Sequence, residues 1–541
     1  MSTDIHNAPD APEVTENGTS EPTRSNPGVW DPKRPFGWAL PEAPAEPTPK
    51  ERLLRPAFRR NKTEPAKTTP ASPAQISNSA TVSAPVRSVV GSALPRVSAS
   101  DRDQFGYYAA LLFFFLRFSF LHDYITIHIG FNSYLLTLAG ILAYVGLLRS
   151  DTWRSASQSK LFWAWVWFTA LLVIGVPLSA WPGGSFALAE PFVKDNFICL
   201  PLIAGLFYNW ERLRRLFLTI ALAGVTVTAI SVLSGAPDAN GRLSLYFTST
   251  IGNPNDLAAH LIYVSIFMLI AAFSLTRNMV WRALFLGSTG VALVQILRTG
   301  SRGALLGLLC SAVVAFLAGS MKTRSSLLFL APIAGLVLLN FVPQSTVDRL
   351  STFSGGNAEE AKESYGARRY LLDKSIHITL EHPIFGVGPG QFSSFEGAEA
   401  DAEGHHHSNW QETHNTFTEV SSEIGIPALI CVLWGVGGSF VLFWRLSKQA
   451  RKDAALRQYA MPAYLLVAGV AGICGALFFV NFAYRLYLVV LTGIGIAVQR
   501  AISSEPGQAP HPNAPATAGA PGLTPSRTSR RRSTFGFARK P

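Results

Sequence analysis

Charged side chains are scarce in this sequence. Asp, Glu, Lys and Arg make up 15% of the 541 residues, whereas a soluble protein of this length has about 25%. Cysteine is rarer still, and its four copies stand at unrelated spacings inside apolar runs: Cys199, Cys310, Cys431 and Cys474. This pattern excludes a disulfide framework and a zinc site, and it predicts buried thiols.

The N-terminus also lacks the short apolar core and the small-residue cleavage site of a signal peptide. We therefore expect the first apolar run, near Phe105, to act as an uncleaved anchor. Residues 1–104 and 501–541 are rich in Pro and in small and polar residues, without apolar periodicity. Because such segments bury too little apolar surface to offset the entropy of ordering, we predict two disordered tails.

The remaining part, residues 105–500, contains apolar runs long enough to span a membrane. The pattern predicts an all-α, polytopic integral membrane protein with about twelve transmembrane helices. One long connection, residues 343–412, separates the ninth predicted span from the tenth. The predicted spans begin near Phe105, Asn132, Leu161, Asn196, Leu216, Leu257, Ala283, Gly303, Leu327, Thr413, Pro462 and Leu486.

The short loops fall into two sets by charge. Alternate loops are rich in Arg and Lys, and the others hold few basic residues: Lys194, Arg242, Arg298, Arg302 and Arg485. The positive-inside rule places the basic set in the cytoplasm, so that both tails are cytoplasmic and the long loop faces outside. The same asymmetry accounts for the net charge of +12, and no nucleic-acid partner is expected.

The first candidate for chemistry is the stretch RTGSRGALLGLL, residues 298–309. Arg302 is predicted at the outer rim of an apolar helix with small residues, and Arg298 precedes it by about one turn. An arginine at bilayer depth costs about 3 kcal/mol and usually faces a cavity or a partner. The alternative is an arginine that snorkels to the interface and merely ends the helix.

The second candidate stretch is GRLSLYFTSTIGNPNDLAAH, which begins at Gly241. GNPND predicts a turn that leads into a helix capped by Asn253 or Asn255. Arg242 lies in the predicted outer loop before this turn. It can face a ligand, or it can be an ordinary loop arginine.

The third candidate is His414, which begins the predicted tenth span in the stretch HNTFTEVSSEIGIPALI. A neutral imidazole can accept a proton from a hydroxyl group and pass it on, although a lone histidine at a helix end also serves structure. Arg117, inside FFFLRFSFL, either snorkels or lines a cavity. Three consecutive histidines, residues 405–407, favour a solvated loop over a metal site, so no metal site is predicted.

These stretches together resemble the O-antigen ligase and O-antigen polymerase family. The resemblance covers about residues 105–500. It rests on TIGNPNDLA after Arg242, TGSRGALLGL around Arg302, HPIFGVGPGQF in the long loop, and HNTFTEVSSEIGIPAL from His414. It implies a multi-pass glycosyltransferase of the bacterial inner membrane, with its active site facing the periplasm and with no metal or nucleotide cofactor.

The resemblance also implies the substrates. The donor is a glycan on an undecaprenyl-diphosphate lipid in the bilayer; ligases transfer the glycan to lipid A core, and polymerases to another lipid-linked repeat. Carried over by motif, Arg242 and Arg302 face the diphosphate, and His414 lies near the acceptor. Weaker candidates for substrate binding are Arg298, Arg485, Arg117 and Lys194.

Two alternatives to a ligase stay open. The first is a polymerase of O-antigen or exopolysaccharide, although a single long outer loop leans toward a ligase. The second is a non-enzymatic transporter of polysaccharide or lipid. Many transporters show internal repeats and charges near the midplane, whereas this sequence shows no clear repeat and its candidate residues cluster on one predicted face.

Overall fold

The computed structural model describes residues 104–150, 152–238, 241–248, 250–341, 358–402 and 411–504. The two predicted tails lie outside these residues, except for Gln104 and residues 501–504. The predicted outer loop lies partly outside them, and so do the three consecutive histidines. All structural statements below concern the described part of the chain.

The described part of the chain is almost entirely helical. Its two short strands form one antiparallel pair, β1 (Ala236–Pro237) with β2 (Leu243–Ser244). The helices are α1 (Gln104–Ser119), α2 (Leu121–Ile129), α3 (Leu135–Ser150), α4 (Thr152–Ala156), α5 (Lys160–Leu178), α6 (Pro182–Leu206), α7 (Trp210–Ser234), α8 (Pro254–Ile270), α9 (Met279–Arg298), α10 (Arg302–Ala318), α11 (Met321–Leu339), α12 (Ala358–Glu381), α13 (Phe392–Ala402), α14 (Thr416–Glu423), α15 (Ile426–Gln449), α16 (Ala460–Leu477) and α17 (Leu486–Ser504).

Seven helical segments of the described chain are long and apolar enough to cross a membrane. The count rises to eight if α1 and α2, which meet at a bend of 68°, form one broken span. The helices α3 and α10 are apolar but shorter. An all-α polytopic membrane protein is thereby confirmed, whereas the prediction of about twelve spans is not.

Two helices form the centre of the bundle. The apolar stretch of α17 is 94% buried, and that of α8, extended to Leu275, is 83% buried. By contrast, only 28% of α9 is buried, so its exposed side is the one available to lipid. A helix that is apolar all round suits a central position, because every face then meets protein or hydrocarbon.

Small residues bring α10 into close contact with α16. A Cβ atom added at Gly307 would lie 2.6 Å from the Gly472 carbonyl oxygen, and Ser311 Oγ donates to the Ala468 carbonyl at 2.8 Å. Membrane helices commonly pack through small residues and interhelical hydrogen bonds of this kind. The contact fixes where α10 begins, and therefore where Arg302 lies.

The predicted tenth span is broken into two helices. Asn415 caps α14 by accepting hydrogen bonds from the Phe417 and Thr418 amides at 2.9 and 3.3 Å. The chain then breaks at Gly425, where φ is 95°, before α15 begins at Ile426. His414 therefore precedes a short helix. The sequence analysis had expected it to begin the spanning helix, and this expectation was wrong.

Candidate active site

Two of the candidate residues, Arg302 and His414, belong to segments that pack against the loop between α16 and α17, residues 478–485. Thr416 Oγ1 donates to the Val480 carbonyl at 2.6 Å and accepts from the Phe482 amide at 2.9 Å. Asn481 Nδ2 donates to the Glu412 carboxylate at 2.6 Å. The segment that carries His414 is thus held against the α16–α17 loop on both sides of the histidine.

Arg302 borders the same loop from the other side. Ser301 caps α10 by accepting a hydrogen bond from the Ala304 amide at 3.3 Å, and Arg302 is the first helical residue. A Cβ atom added at Gly303 would lie 2.5 Å from Phe479 Cβ, so α10 meets the α16–α17 loop at its first turn. Arg302, which is half-buried, directly precedes this contact.

Arg242 joins three segments next to Arg302. Its Nε donates to the Thr299 carbonyl at 2.8 Å, and one terminal nitrogen donates to Asn255 Oδ1 at 2.7 Å. Its backbone amide donates to Asp238 Oδ1 at 2.9 Å. Asn253, not Asn255, caps α8. Arg242 therefore fixes the turn between α9 and α10, and at least two of its nitrogens already have protein partners.

His414 has an unusual backbone conformation and a charged environment. Its φ of 50° lies in the left-handed region, which costs about 1–2 kcal/mol for a residue with a Cβ atom. Burial lowers the pKa of His414, Arg368 lowers it further, and Glu412 opposes them. The imidazole is consequently neutral at pH 7 and can accept a proton.

Arg368 and Glu423 are site residues that the sequence analysis missed. Arg368 belongs to α12 in the long loop, and it acts electrostatically on His414. Glu423, only 5% exposed, accepts hydrogen bonds from the Gly390 and Phe392 amides at 2.7 and 3.3 Å. It also accepts one from the Tyr484 hydroxyl. Glu423 therefore joins the long loop to the α16–α17 loop.

A second buried carboxyl group lies one turn before Glu423. Glu419 is 7% exposed and accepts a hydrogen bond from the Ala483 amide at 3.2 Å. Burial raises the pKa of Glu419 well above its usual value, and the neighbouring Glu423 raises it further. Arg485 opposes this rise. This weaker candidate therefore interacts electrostatically with a carboxyl group of the site.

The other weaker candidates have partners of their own. Arg117 forms an ion pair with Asp195 at 2.5 Å, and Lys194 is paired with Glu190 on the same helix. The exposed Arg298 donates to Gln295 Oε1 at 3.1 Å. The first contact joins α1 to α6, and the other two lie within α6 and within α9. None of the three involves the α16–α17 loop.

The glycine-rich stretch HPIFGVGPGQF wraps around the end of α14. The Val387 and Gly388 amides donate to the Ser422 and Glu423 carbonyls at 2.9 and 3.0 Å. Gly386, Gly388 and Gly390 all have positive φ. Because a side chain is strained in that conformation, the glycines are what allow the loop to approach so closely.

Gly425 offers a test of this packing. We expect Gly425→Ala to destabilise the protein by at least about 2 kcal/mol, because the new Cβ would lie 2.2 Å from the Ile384 carbonyl oxygen at a φ of 95°. Gly437, which lies inside α15, is the matched control, because a Cβ atom added there would have no neighbouring atom within 4 Å. Thermal unfolding in detergent measures both variants; an unchanged midpoint for Gly425→Ala would contradict the packing described.

The fold and this site define a multi-pass membrane protein with a polar, charged cluster at one end of an apolar helical bundle. The family model for O-antigen ligase matches residues 288–433. The resemblance to that family is thereby confirmed, and the protein is O-antigen ligase-like in this region. No curated protein matches the chain. The matched segment contains Arg302, His414 and Glu423, whereas Arg242 and the α16–α17 loop lie outside it.

Proposed function

We propose that the protein is a membrane glycosyltransferase of surface polysaccharide assembly. It transfers a glycan from an undecaprenyl-diphosphate lipid to a hydroxyl group of an acceptor, on the outer face of the bacterial inner membrane. The observation that carries this proposal is that the O-antigen ligase match contains both Arg302 and His414. The segments that carry these two residues both pack against the α16–α17 loop.

In this reaction the bond between the anomeric carbon and the diphosphate oxygen breaks. A new bond forms between that carbon and the acceptor oxygen. Negative charge develops on the leaving diphosphate, and the Arg302 guanidinium offsets it without a metal, with a fork of donors that matches phosphate geometry. The acceptor hydroxyl loses its proton to the neutral imidazole of His414.

Arg242 supports this chemistry indirectly, by positioning Arg302. Because its guanidinium binds the Thr299 carbonyl and Asn255, it holds the turn from which α10 begins. We therefore assign Arg242 a positioning role, in place of the direct contact with diphosphate that the family resemblance implied. The two buried carboxyl groups of α14, Glu419 and Glu423, hold the α16–α17 loop and the long loop against this segment.

Deletion of the gene in its native host, followed by complementation, tests the proposed function. We expect the deletion strain to lose the finished surface glycan, and His414→Ala to restore at most about 1% of it, since general-base catalysis contributes 10²–10⁴-fold. Accumulation of unattached polymer would identify a ligase, and single capped repeats would identify a polymerase. Electrophoresis of the surface glycan measures each result.

The control for His414→Ala is a wild-type allele expressed to the same level in the membrane fraction. A surface glycan that is unchanged in the deletion strain would overturn the transferase proposal. Full complementation by His414→Ala would overturn only the role of the histidine. Because burial lowers the pKa of His414, transfer by the wild type should hold at pH 6.5 and decline only at lower pH.

A further inference from the structure

A large basic cavity lies at the opposite end of the bundle from Arg302. Its volume is about 1030 Å³, and its wall is built from the first turn of α7, the end of the α8 segment and the chain that enters α16. The α8 segment runs from Pro254, next to the candidate site, to Leu275 in the cavity wall. At 1.5 Å per residue this length is about 30 Å, the thickness of a bilayer core.

Three arginines from three different segments line this cavity: Arg214, Arg277 and Arg457. Among the described residues, no acidic side chain lines it. Arg214 donates to the Leu275 carbonyl at 3.2 Å, and it also lies 3.8 Å from the Glu211 carboxylate. Within the described chain, the guanidinium groups of Arg277 and Arg457 have no hydrogen-bond or ion-pair partner. The positive charge of the cavity therefore favours binding of an anion.

A local change in helix geometry forms one wall of the cavity. After Ile270 the chain forms a π-helical turn, Ala271–Leu275, and this turn ends with the Thr276 amide donating to the Ala271 carbonyl at 3.1 Å. Such turns are uncommon and often mark functional sites. The turn places the Phe273 side chain and the Leu275 carbonyl at the cavity, two residues before Arg277.

The rim of the cavity is apolar as well as basic. Phe273 is 49% exposed and Met461 is 40% exposed, and both belong to the lining. Trp210, which also lines the cavity, packs edge-on against Tyr459 with ring centroids 4.8 Å apart. A ligand that fits must carry negative charge for the arginines and hydrocarbon for the rim, and it must lie at the membrane boundary.

We propose that this basic cavity binds the phosphate headgroup of an anionic phospholipid from the leaflet opposite to the candidate active site. The arginines hold the phosphate, and the acyl chains leave the cavity over Phe273 and Met461 into the bilayer. Basic pockets between membrane helices recognise anionic headgroups in this way. Lipid binding here does not require transferase activity.

Native mass spectrometry of the full-length protein in mild detergent tests this site. We expect phosphatidylglycerol to bind more tightly than phosphatidylcholine, and the double variant Arg277→Gln, Arg457→Gln to bind it roughly 30-fold more weakly. This factor follows from a contribution of about five-fold for each interfacial basic residue. Both arginines are exposed, so the substitutions leave the packed interior unchanged.

The matched control is Arg445→Gln, Lys452→Gln, which removes the same charge from exposed positions outside the cavity lining. Equal losses in the two double variants would overturn the proposal, because binding would then depend on surface charge alone. Equal affinity for the two lipids would also overturn it. If inorganic phosphate bound as tightly as phosphatidylglycerol, a soluble phosphate compound would replace the lipid as ligand.

Discussion

Replacement of Arg302 by alanine is expected to reduce glycan transfer by about 10²–10³-fold, the usual loss when one preorganised donor for a developing charge is removed. Arg302 is the half-buried first residue of α10, and its neighbour Gly303 packs against Phe479. Arg302 lies inside the segment that the O-antigen ligase model matches. It lies at the end of α10 that packs against the α16–α17 loop, where the His414 segment is also held.

Arg302→Lys separates charge from geometry. Lysine retains the positive charge but lacks the planar fork of donors that matches a phosphate, so we expect transfer between that of the wild type and that of Arg302→Ala. The measurement is the initial rate of transfer by purified protein from a lipid-diphosphate donor, with membrane insertion checked by protease accessibility. Arg445→Ala, an exposed arginine on α15, is the control. Wild-type rates for Arg302→Ala would refute the assignment to the diphosphate.

Local sequence signals predicted local features well. The runs of apolar residues predicted helices because a membrane requires every backbone group to be bonded within its own segment. GNPND predicted the start of α8, and Asn253 caps that helix as expected. The motifs around Arg302 and His414 also pointed to the family that the later comparison confirmed. Each of these signals is contained within about ten residues of chain.

Features that depend on distant contacts could not be predicted in the same way. The break at Gly425 follows from its contact with Ile384, which lies in the long loop. The partners of Glu423, Gly390 and Tyr484, come from two other segments of the chain. A helical periodicity shows which residues share a face, and it does not show what that face meets.

The predicted number of spans is not confirmed. Four predicted spans correspond to helices that fall short of the criteria for crossing: α3, α6, α10 and α11. In α6, Pro191 and Pro201 stand inside a continuous helix that begins well before the predicted start at Asn196. An apolar run in the sequence does not by itself define the bounds or the length of the helix that forms there.

Substitution of Glu423 is the second change for which we expect a large effect. Its buried carboxylate is the shared acceptor for two loop amides and the Tyr484 hydroxyl. Glu423→Ala would leave these donors without a partner, and each buried unsatisfied group costs about 1–3 kcal/mol. We therefore expect this variant to lose at least about 3 kcal/mol of stability and to lose transfer activity, because the long loop would no longer be held beside His414.

The pH dependence of stability distinguishes this role from a simple packing defect. Burial raises the pKa of Glu423 from 4.5 to about 7, although the hydrogen bonds from Tyr484, Gly390 and Phe392 act to lower it. The folded protein thus binds a proton that the unfolded chain has released between these two values. The contribution of Glu423 to stability should consequently be fully present below pH 4.5 and should be lost as the pH rises through 7.

Glu423→Gln removes the titrating group but keeps an oxygen that can accept the amide hydrogen bonds. We expect its thermal midpoint in detergent to vary less than that of the wild type between pH 4.5 and 7, and to exceed that of Glu423→Ala. Glu381→Gln, an exposed glutamate on α12 paired with His377, is the control and should retain the wild-type profile. A wild-type slope in Glu423→Gln would show that another group titrates in this range, and it would contradict the assignment of this pH dependence to Glu423.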